Sequence, residues 1–131
     1  MKILTRSYVH DRLFSESIHP GLTAGKTYYV IGISDDCFRV IDDDGEPVLY
    51  EKGIFDIIDP AIPDDWVTEW LYDGDEKYCY INPPGLNKPG FYEDYFDGAD
   101  YAVNRFHSYC ELEGIPCHRP SDRKRHKPRN Q

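Results

Sequence analysis

The sequence predicts an α+β fold, mainly β: a small, strongly bent sheet of short strands, extended by a β-hairpin and a C-terminal helix. Three observations predict it. From Gly25 to Asp59, three runs rich in β-branched and aromatic residues alternate with two acidic turns, the pattern of an antiparallel meander. Trp66–Tyr72 and Lys77–Ile81 flank Asp73-Gly74-Asp75-Glu76, which reads as a hairpin. Between about Ala99 and Glu113, apolar residues recur at intervals close to a helical period, and a 3.6-residue period places them on one face.

Taken in order, Ile3–His10 is expected as an edge strand, with Asp11 capping a short turn through Arg12–Ser17 before His19-Pro20-Gly21 breaks it. Leu13, Phe14, Ile18 and Leu22 are expected to pack under the meander. Thr27–Ser34, Cys37–Ile41 and Val48–Tyr50 have the composition that suits a pleated surface. Asp35-Asp36 and Asp43-Asp44-Gly45 join them, the Asp-Gly step supplying the positive φ of a tight hairpin. Tyr28, Val30 and Gly32 alternate with Tyr29, Ile31 and Ile33, so neither face of that first strand is polar and both should be buried. Glu51–Asp56 suits a single 3₁₀ turn leading into a short strand at Ile57-Ile58. A strand buried on both faces favours a sheet that closes on itself, because closure removes edges. The expected result is a small SH3-like barrel over about residues 22–59.

Asp59-Pro60-Ala61-Ile62-Pro63 makes a rigid extended link, and residues 64–113 then supply the hairpin, a long loop and the helix. The loop, Asn82–Gly98, holds an aromatic and acidic cluster between prolines and glycines, and loops of that length are often functional. Asp97 or Asp100 is expected to cap the helix and Gly114 to stop it. Its core stripe is either Ala102, Phe106, Tyr109 and Leu112, or Val103 and Cys110. Residues 118–131 have no apolar residue and read as a basic disordered tail. The organisation is thus one globular domain, 1–117, followed by that tail.

Composition narrows the function classes. The net charge of −9 hides an asymmetry: from His118 onward six basic residues face one acid, about +5, which leaves about −14 for residues 1–117. An acidic body repels phosphate backbones and attracts cationic proteins. Aromatic residues make up 15% of the chain, with 11 Tyr, so rigid amphipathic rings are available for both core and recognition. Cys37, Cys79, Cys110 and Cys117 are scattered, and MKILTRSYVHDR has no apolar signal-peptide core. No stretch is long and apolar enough to cross a bilayer. A soluble cytoplasmic protein with reduced thiols and no membrane partner is expected.

Several clusters of side chains carry groups capable of chemistry. Asp35-Asp36 and Asp42-Asp43-Asp44-Gly45-Glu46 cluster carboxylates, but the spacing fails the calcium-loop pattern. Adjacent acids on exposed turns also stay ionised, which does not suit hydrolysis. His107, Cys110, Cys117 and His118 offer four nitrogen and sulfur ligands, but adjacent ligands at Cys117-His118 diverge, so no metal and no cofactor is assigned. Nothing in the sequence orients His107 as a base for a thiol nucleophile, and no catalytic residue is assigned. Recognition is the stronger reading. Phe91, Tyr92, Glu93, Asp94, Tyr95 and Asp97 combine rings with acids, which suits an arginine-bearing partner. Asp42, Asp43, Asp44 and Glu46 are a second set of acids expected to contact the same partner. Arg123, Lys124, Arg125, Lys127 and Arg129 in the tail are dense enough to touch nucleic acid, without aromatics for base stacking.

Gly25-Lys26-x-Tyr28-x-Val30, Phe38-Arg39-Val40-Ile41-Asp42-Asp43, Trp66-Val67 and Gly90-Phe91-x-Glu93-Asp94-Tyr95-Phe96 together resemble small acidic bacterial proteins with an SH3-like domain, of the immunity-type or phage-encoded kind. The resemblance covers roughly residues 22–112. It implies a non-enzymatic binding protein, an inhibitor or immunity-type protein that engages a basic protein partner such as a toxin. The alternative is a nucleic-acid-associated accessory protein acting through its tail. Exposed aromatics allow either a monomer or a homodimer.

Overall fold

The computed structural model describes residues 1–6, 8–9, 12–13 and 19–117, with the side chains of 1–6 and 19–117. Leu13 as a packing residue, Phe14, Ile18, the cap at Asp11, His118 and the whole basic tail lie outside the described residues. The described chain divides into two compact units, Met1–Pro83 and Pro84 onward. The hairpin expected to open the second half is therefore the last element of the first unit.

The first unit begins with β1 (Lys2–Thr5), β2 (Tyr8–Val9) and β3 (Arg12–Leu13), followed by the meander β4 (Thr27–Ser34), β5 (Cys37–Ile41) and β6 (Pro47–Glu51). A 3₁₀ turn, Lys52–Ile54, leads into β7 (Phe55–Asp59), and the hairpin is β8 (Val67–Asp73) with β9 (Glu76–Asn82). The meander, the 3₁₀ turn and the hairpin fall where their apolar runs and turn residues place them. The fold class, α+β and mainly β, holds.

Pairing departs from expectation in two ways. β1 is an interior strand: it pairs antiparallel with β4 (Ile3↔Tyr28) on one side and with β7 (Ile3↔Ile57) on the other. Ile3 is fully buried, and a strand with an apolar centre gains more between two partners than at a wet edge. The sheet path, β6-β5-β4-β1-β7, is also open among the described residues, so the barrel does not close. The 3₁₀ turn redirects the chain so that β7 joins β1 rather than its neighbour in sequence, β6. The far end of β4 pairs with β9 instead (Ile33↔Ile81).

Alternation decides the core. Tyr28 and Val30 of β4, Phe38 and Val40 of β5, and Tyr50 of β6 converge with Ile3, Leu22, Ile54 and Phe55. Phe55 meets the Phe38 and Tyr50 rings at centroid separations of 6.2 and 6.4 Å, within the range where tilted and edge-on rings attract. Ile31, on the opposite face of β4, is also buried, as expected for a two-sided strand. Gly32 is required where β4 shifts register against β5. A Cβ there would stand 2.6 Å from the Asn82 side-chain oxygen and 3.2 Å from Arg39 Cβ, so a larger residue would make the Asn82 side chain turn away.

In the second unit the expected loop is not irregular. It contains a 3₁₀ turn, Pro84–Leu86, and a short helix, α1 (Phe91–Phe96), before α2 (Asp100–Glu113). Aromatic side chains at Phe91 and Tyr95 are four residues apart and both buried, which is what turns an apparent loop into helix. The residue before α2 is Ala99, and neither Asp97 nor Asp100 caps it through a side chain. Asp97 instead ends α1. Ala102, Phe106, His107 and Cys110 are buried on α2, whereas Leu112 is 84% exposed. The stripe therefore mixes the two sequence alternatives. Gly114, at φ 69°, stops α2, and the Ile115 N–H bonds the Cys110 carbonyl at 2.8 Å. That bond is the six-to-one closure of a Schellman turn, and it folds the chain back over the last helical turn.

Candidate functional site

The acidic β5–β6 turn is built inward. Asp42 Oδ1 accepts the N–H groups of Asp44 (2.9 Å) and Glu46 (3.0 Å), and Oδ2 accepts the Tyr50 hydroxyl at 3.2 Å. The Tyr50 hydroxyl shares its single hydrogen between that oxygen and the nearer Pro20 carbonyl at 2.8 Å. Asp43 takes three donors: Lys26 Nζ at 2.6 Å, Tyr28 Oη at 2.9 Å and Thr23 Oγ1 at 2.8 Å. The Asp43 N–H reaches the Gly21 carbonyl at 2.8 Å, and Thr5 Oγ1 ties down the Thr23 carbonyl at 2.5 Å. These bonds clip residues 20–28 to the turn. Gly21, at φ +89°, lies where a Cβ would be 2.6 Å from Asp42 Oδ2, so the approach requires glycine.

The two neighbouring carboxylates are driven in opposite directions. Burial pushes Asp42 above the ordinary carboxylate range, outweighing its backbone hydrogen bonds. Burial acts the same way on Asp43, but the hydrogen bonds from Lys26, Thr23 and Tyr28 exceed it and hold this carboxyl low. Burial, with the Asp43 carboxylate adding to it, pushes Tyr28 up to about 12. Tyr50 is raised by burial and by the charge of Asp42. Both phenols are therefore fixed donors at neutral pH. Of the four acids assigned to recognition in this turn, Glu46 is buried, Asp42 and Asp43 are saturated by internal donors, and Asp44 points its carboxylate to solvent.

The aromatic and acidic cluster also separates. Phe91 and Tyr95 are core residues, Phe91 against Tyr92 and Tyr101, and Tyr95 against Phe106 at 5.1 Å. They are not surface anchors, because a six-residue helix with aromatics four apart must bury them against α2. Tyr92 is half-buried. Asp94 accepts the Tyr101 hydroxyl, and Lys88 Nζ donates to the same hydroxyl at 3.0 Å. Glu93, Phe96 and Asp97 remain exposed.

No role is expected for the hairpin from the sequence, yet Val67, Glu69 and Leu71 alternate with Trp66, Thr68, Trp70 and Tyr72, which makes one of its faces aromatic. Trp70 and Leu71 are each 51% exposed and Tyr72 is 70% exposed. Lys77, paired with Tyr72, places Nζ 4.1 Å from the Trp70 ring centroid and 5.9 Å from that of Tyr72. Exposed Asp73, Asp75 and Glu76 stand at its turn. On β7, Ile57 and Ile58 are also about half exposed.

At the end of α2, the sequence offered no orientation for a histidine and thiol pair, and the Schellman turn provides one. Cys117 Sγ lies 3.2 Å from His107 Nδ1. The Cys110 thiol is hydrogen-bonded to Cys117, which with burial raises it far above an ordinary thiol. Among the described residues no group of three or more His, Cys, Asp or Glu side chains is arranged to hold a metal ion. Nor is any helix among them long and apolar enough to cross a membrane. No protein-family model matches the chain, and comparisons with curated proteins and with solved structures find no match.

Proposed function

We propose that this protein is a non-enzymatic binding protein of the inhibitor or immunity type, engaging a basic protein partner through exposed aromatic and acidic side chains. One observation supports this reading above the others. Trp70, Leu71 and Tyr72 are consecutive, large and more than half exposed, beside a turn of carboxylates at Asp73, Asp75 and Glu76. Trp70 and Tyr72, two residues apart, share one face of β8 beside Lys77, and exposed aromatic rings of this kind are the residues that most often carry interface energy. A body of about −14 steers a cationic partner toward it. Within the same unit, Asp44 is an exposed acid of the β5–β6 turn that adds to this charge.

The same reading gives residues 1–59 an SH3-like arrangement. Its support is the order of elements: a first strand, a long connection, a three-stranded meander, a 3₁₀ turn, and a last strand that returns to the first.

The test is capture from the native cell lysate by full-length protein, by a form lacking residues 119–131, and by Trp70→Ser/Tyr72→Ser, followed by titration of the purified captured protein at two salt concentrations. A basic protein held by the first two and lost by the third, more weakly at higher salt, is the expected result. Retention of the same protein by the hairpin variant refutes the surface. Nucleic acid retained by the full-length chain alone moves the function to the tail.

A further inference from the structure

The C-terminal end of α2 brings together three side chains that the binding reading does not use. His107 and Cys110 are one helical turn apart and buried, at 3% and 1% exposure. The turn at Gly114 returns Cys117 to them, with its sulfur 3.2 Å from the imidazole Nδ1 and hydrogen-bonded to the Cys110 thiol. Cys117 is the partly exposed member of the three. A reagent from solvent therefore meets Cys117 first, with a base on one side and a second thiol on the other.

We propose that Cys117 and Cys110 form a reversible dithiol–disulfide site, in which Cys117 attacks a low-molecular-weight disulfide of the glutathione class and Cys110 resolves the adduct. His107 accepts the Cys117 proton at Nδ1, and the thiolate attacks one sulfur of R–S–S–R. The Cys117–S–S–R bond forms as RS⁻ leaves and takes the proton back as RSH. Cys110 then attacks Cys117 Sγ. The Cys110–Cys117 bond forms, and the second RS⁻ departs with the Cys110 proton. Two protein thiols are oxidised and one R–S–S–R is reduced to two RSH. Exchange of this kind proceeds only through a thiolate that can reach the disulfide.

The order of attack follows from the surroundings. The hydrogen bond to Cys117 is the foremost cause that keeps Cys110 protonated, with burial second. Cys110, at 1% exposure, is shielded from a reagent in solvent and meets a disulfide only once Cys117 carries one. A bridge brings the two hydrogen-bonded sulfurs to about 2.0 Å. The resulting bridge spans the Gly114 turn and fixes the last described segment to α2. Cys37 and Cys79, on β5 and β9, serve as internal controls.

Full-length reduced protein is incubated with oxidised glutathione, quenched with acid, alkylated and mapped by non-reducing peptide mass spectrometry. A Cys110–Cys117 disulfide without retained glutathione is expected, reversed by excess reduced glutathione. Cys117→Ser should leave Cys110 free, and Cys110→Ser should stop at a glutathione adduct on Cys117. His107→Gln should slow alkylation of Cys117 by about tenfold at pH 7. Should that variant misfold, the wild-type pH profile decides: alkylation of Cys117, 3.2 Å from the His107 imidazole, persists to lower pH than that of two free-thiol controls, N-acetylcysteine and reduced glutathione. Prior reaction of Cys37 or Cys79, a glutathione adduct persisting on wild-type Cys117, or a Cys117 profile matching those controls would overturn the proposal.

Discussion

Removing the Asp43 carboxylate tests whether the acidic turn is an internal clip. Tyr28, a buried donor, bonds Asp43 at 2.9 Å, and a bond of this type to a charged acceptor contributes about 1.5 kcal/mol. Thr23 and Lys26 are exposed, and the Lys26 ion pair involves side chains 53% and 28% accessible, so solvent screening limits these two to about 0.5 kcal/mol each. Asp43→Ala should therefore cost about 2–3 kcal/mol at pH 7, a fall in Tm of roughly 10 °C for a unit of this size. Asp44→Ala should cost less than about 0.5 kcal/mol, as surface changes do. The pH dependence has a definite sign. The folded pKa of Asp43 is depressed, so its contribution is present above the unfolded value near 3.9 and disappears as pH falls through the lower folded value. Asp42 is raised, so its contribution is present below about pH 3.9 and lost as pH rises through the folded value. Asp42→Asn, which keeps the acceptor for the Asp44 and Glu46 N–H groups, should then change stability at pH 7 by less than about 1 kcal/mol. Urea denaturation of wild type and the three variants between pH 3 and pH 8 measures all of this. An Asp43→Ala cost equal to that of Asp44→Ala, or a wild-type-to-Asp43→Ala gap unchanged at pH 3, would refute the clip.

Three further outcomes are expected. Gly32→Ala sets a methyl 2.6 Å from Asn82 Oδ1, which can rotate away, and 3.2 Å from Arg39 Cβ, so it should cost about 1 kcal/mol by urea denaturation; a cost above about 3 kcal/mol would mean that the Asn82 side chain is held in place. Phe106→Ala empties a fully buried ring site and should cost about 3–5 kcal/mol, whereas Leu112→Ala, at 84% exposure, should stay within about 0.5 kcal/mol; thermal melts of both variants, read by far-UV circular dichroism, separate the two stripes. Trp70→Ser/Tyr72→Ser should alter Tm by no more than about 3 °C while abolishing partner capture, and a large loss of Tm would make the hairpin a structural rather than a recognition element.

Local chemistry made much of the chain legible. The β-branched runs at Thr27–Ser34 and Cys37–Ile41 match the observed strands residue for residue, because strand composition and Asp-Gly turns act over a few neighbours. Gly114 was legible as a helix stop for the same reason. Helix α1 was not, because proline and glycine on both sides make Phe91–Phe96 read as loop until α2 is there to bury its rings. The candidate surface divides along the same line. Sequence places Asp42, Asp43, Asp44 and Glu46 together but cannot say which way each carboxylate faces. That depends on Lys26, Tyr28 and Tyr50, 17, 15 and 8 residues away from their acidic partners.

Residue type and short-range period account for the fold class, the meander and its turns, the hairpin, the longer helix and the acidic balance of the body. The interior place of β1, the open sheet, the internal donors on Asp42 and Asp43, and the return of Cys117 to His107 and Cys110 arise from contacts between distant residues. The physical reason is one of range: pairing partners, burial and side-chain contacts belong to residues brought together by chain reversals, and no local propensity encodes which of them will meet.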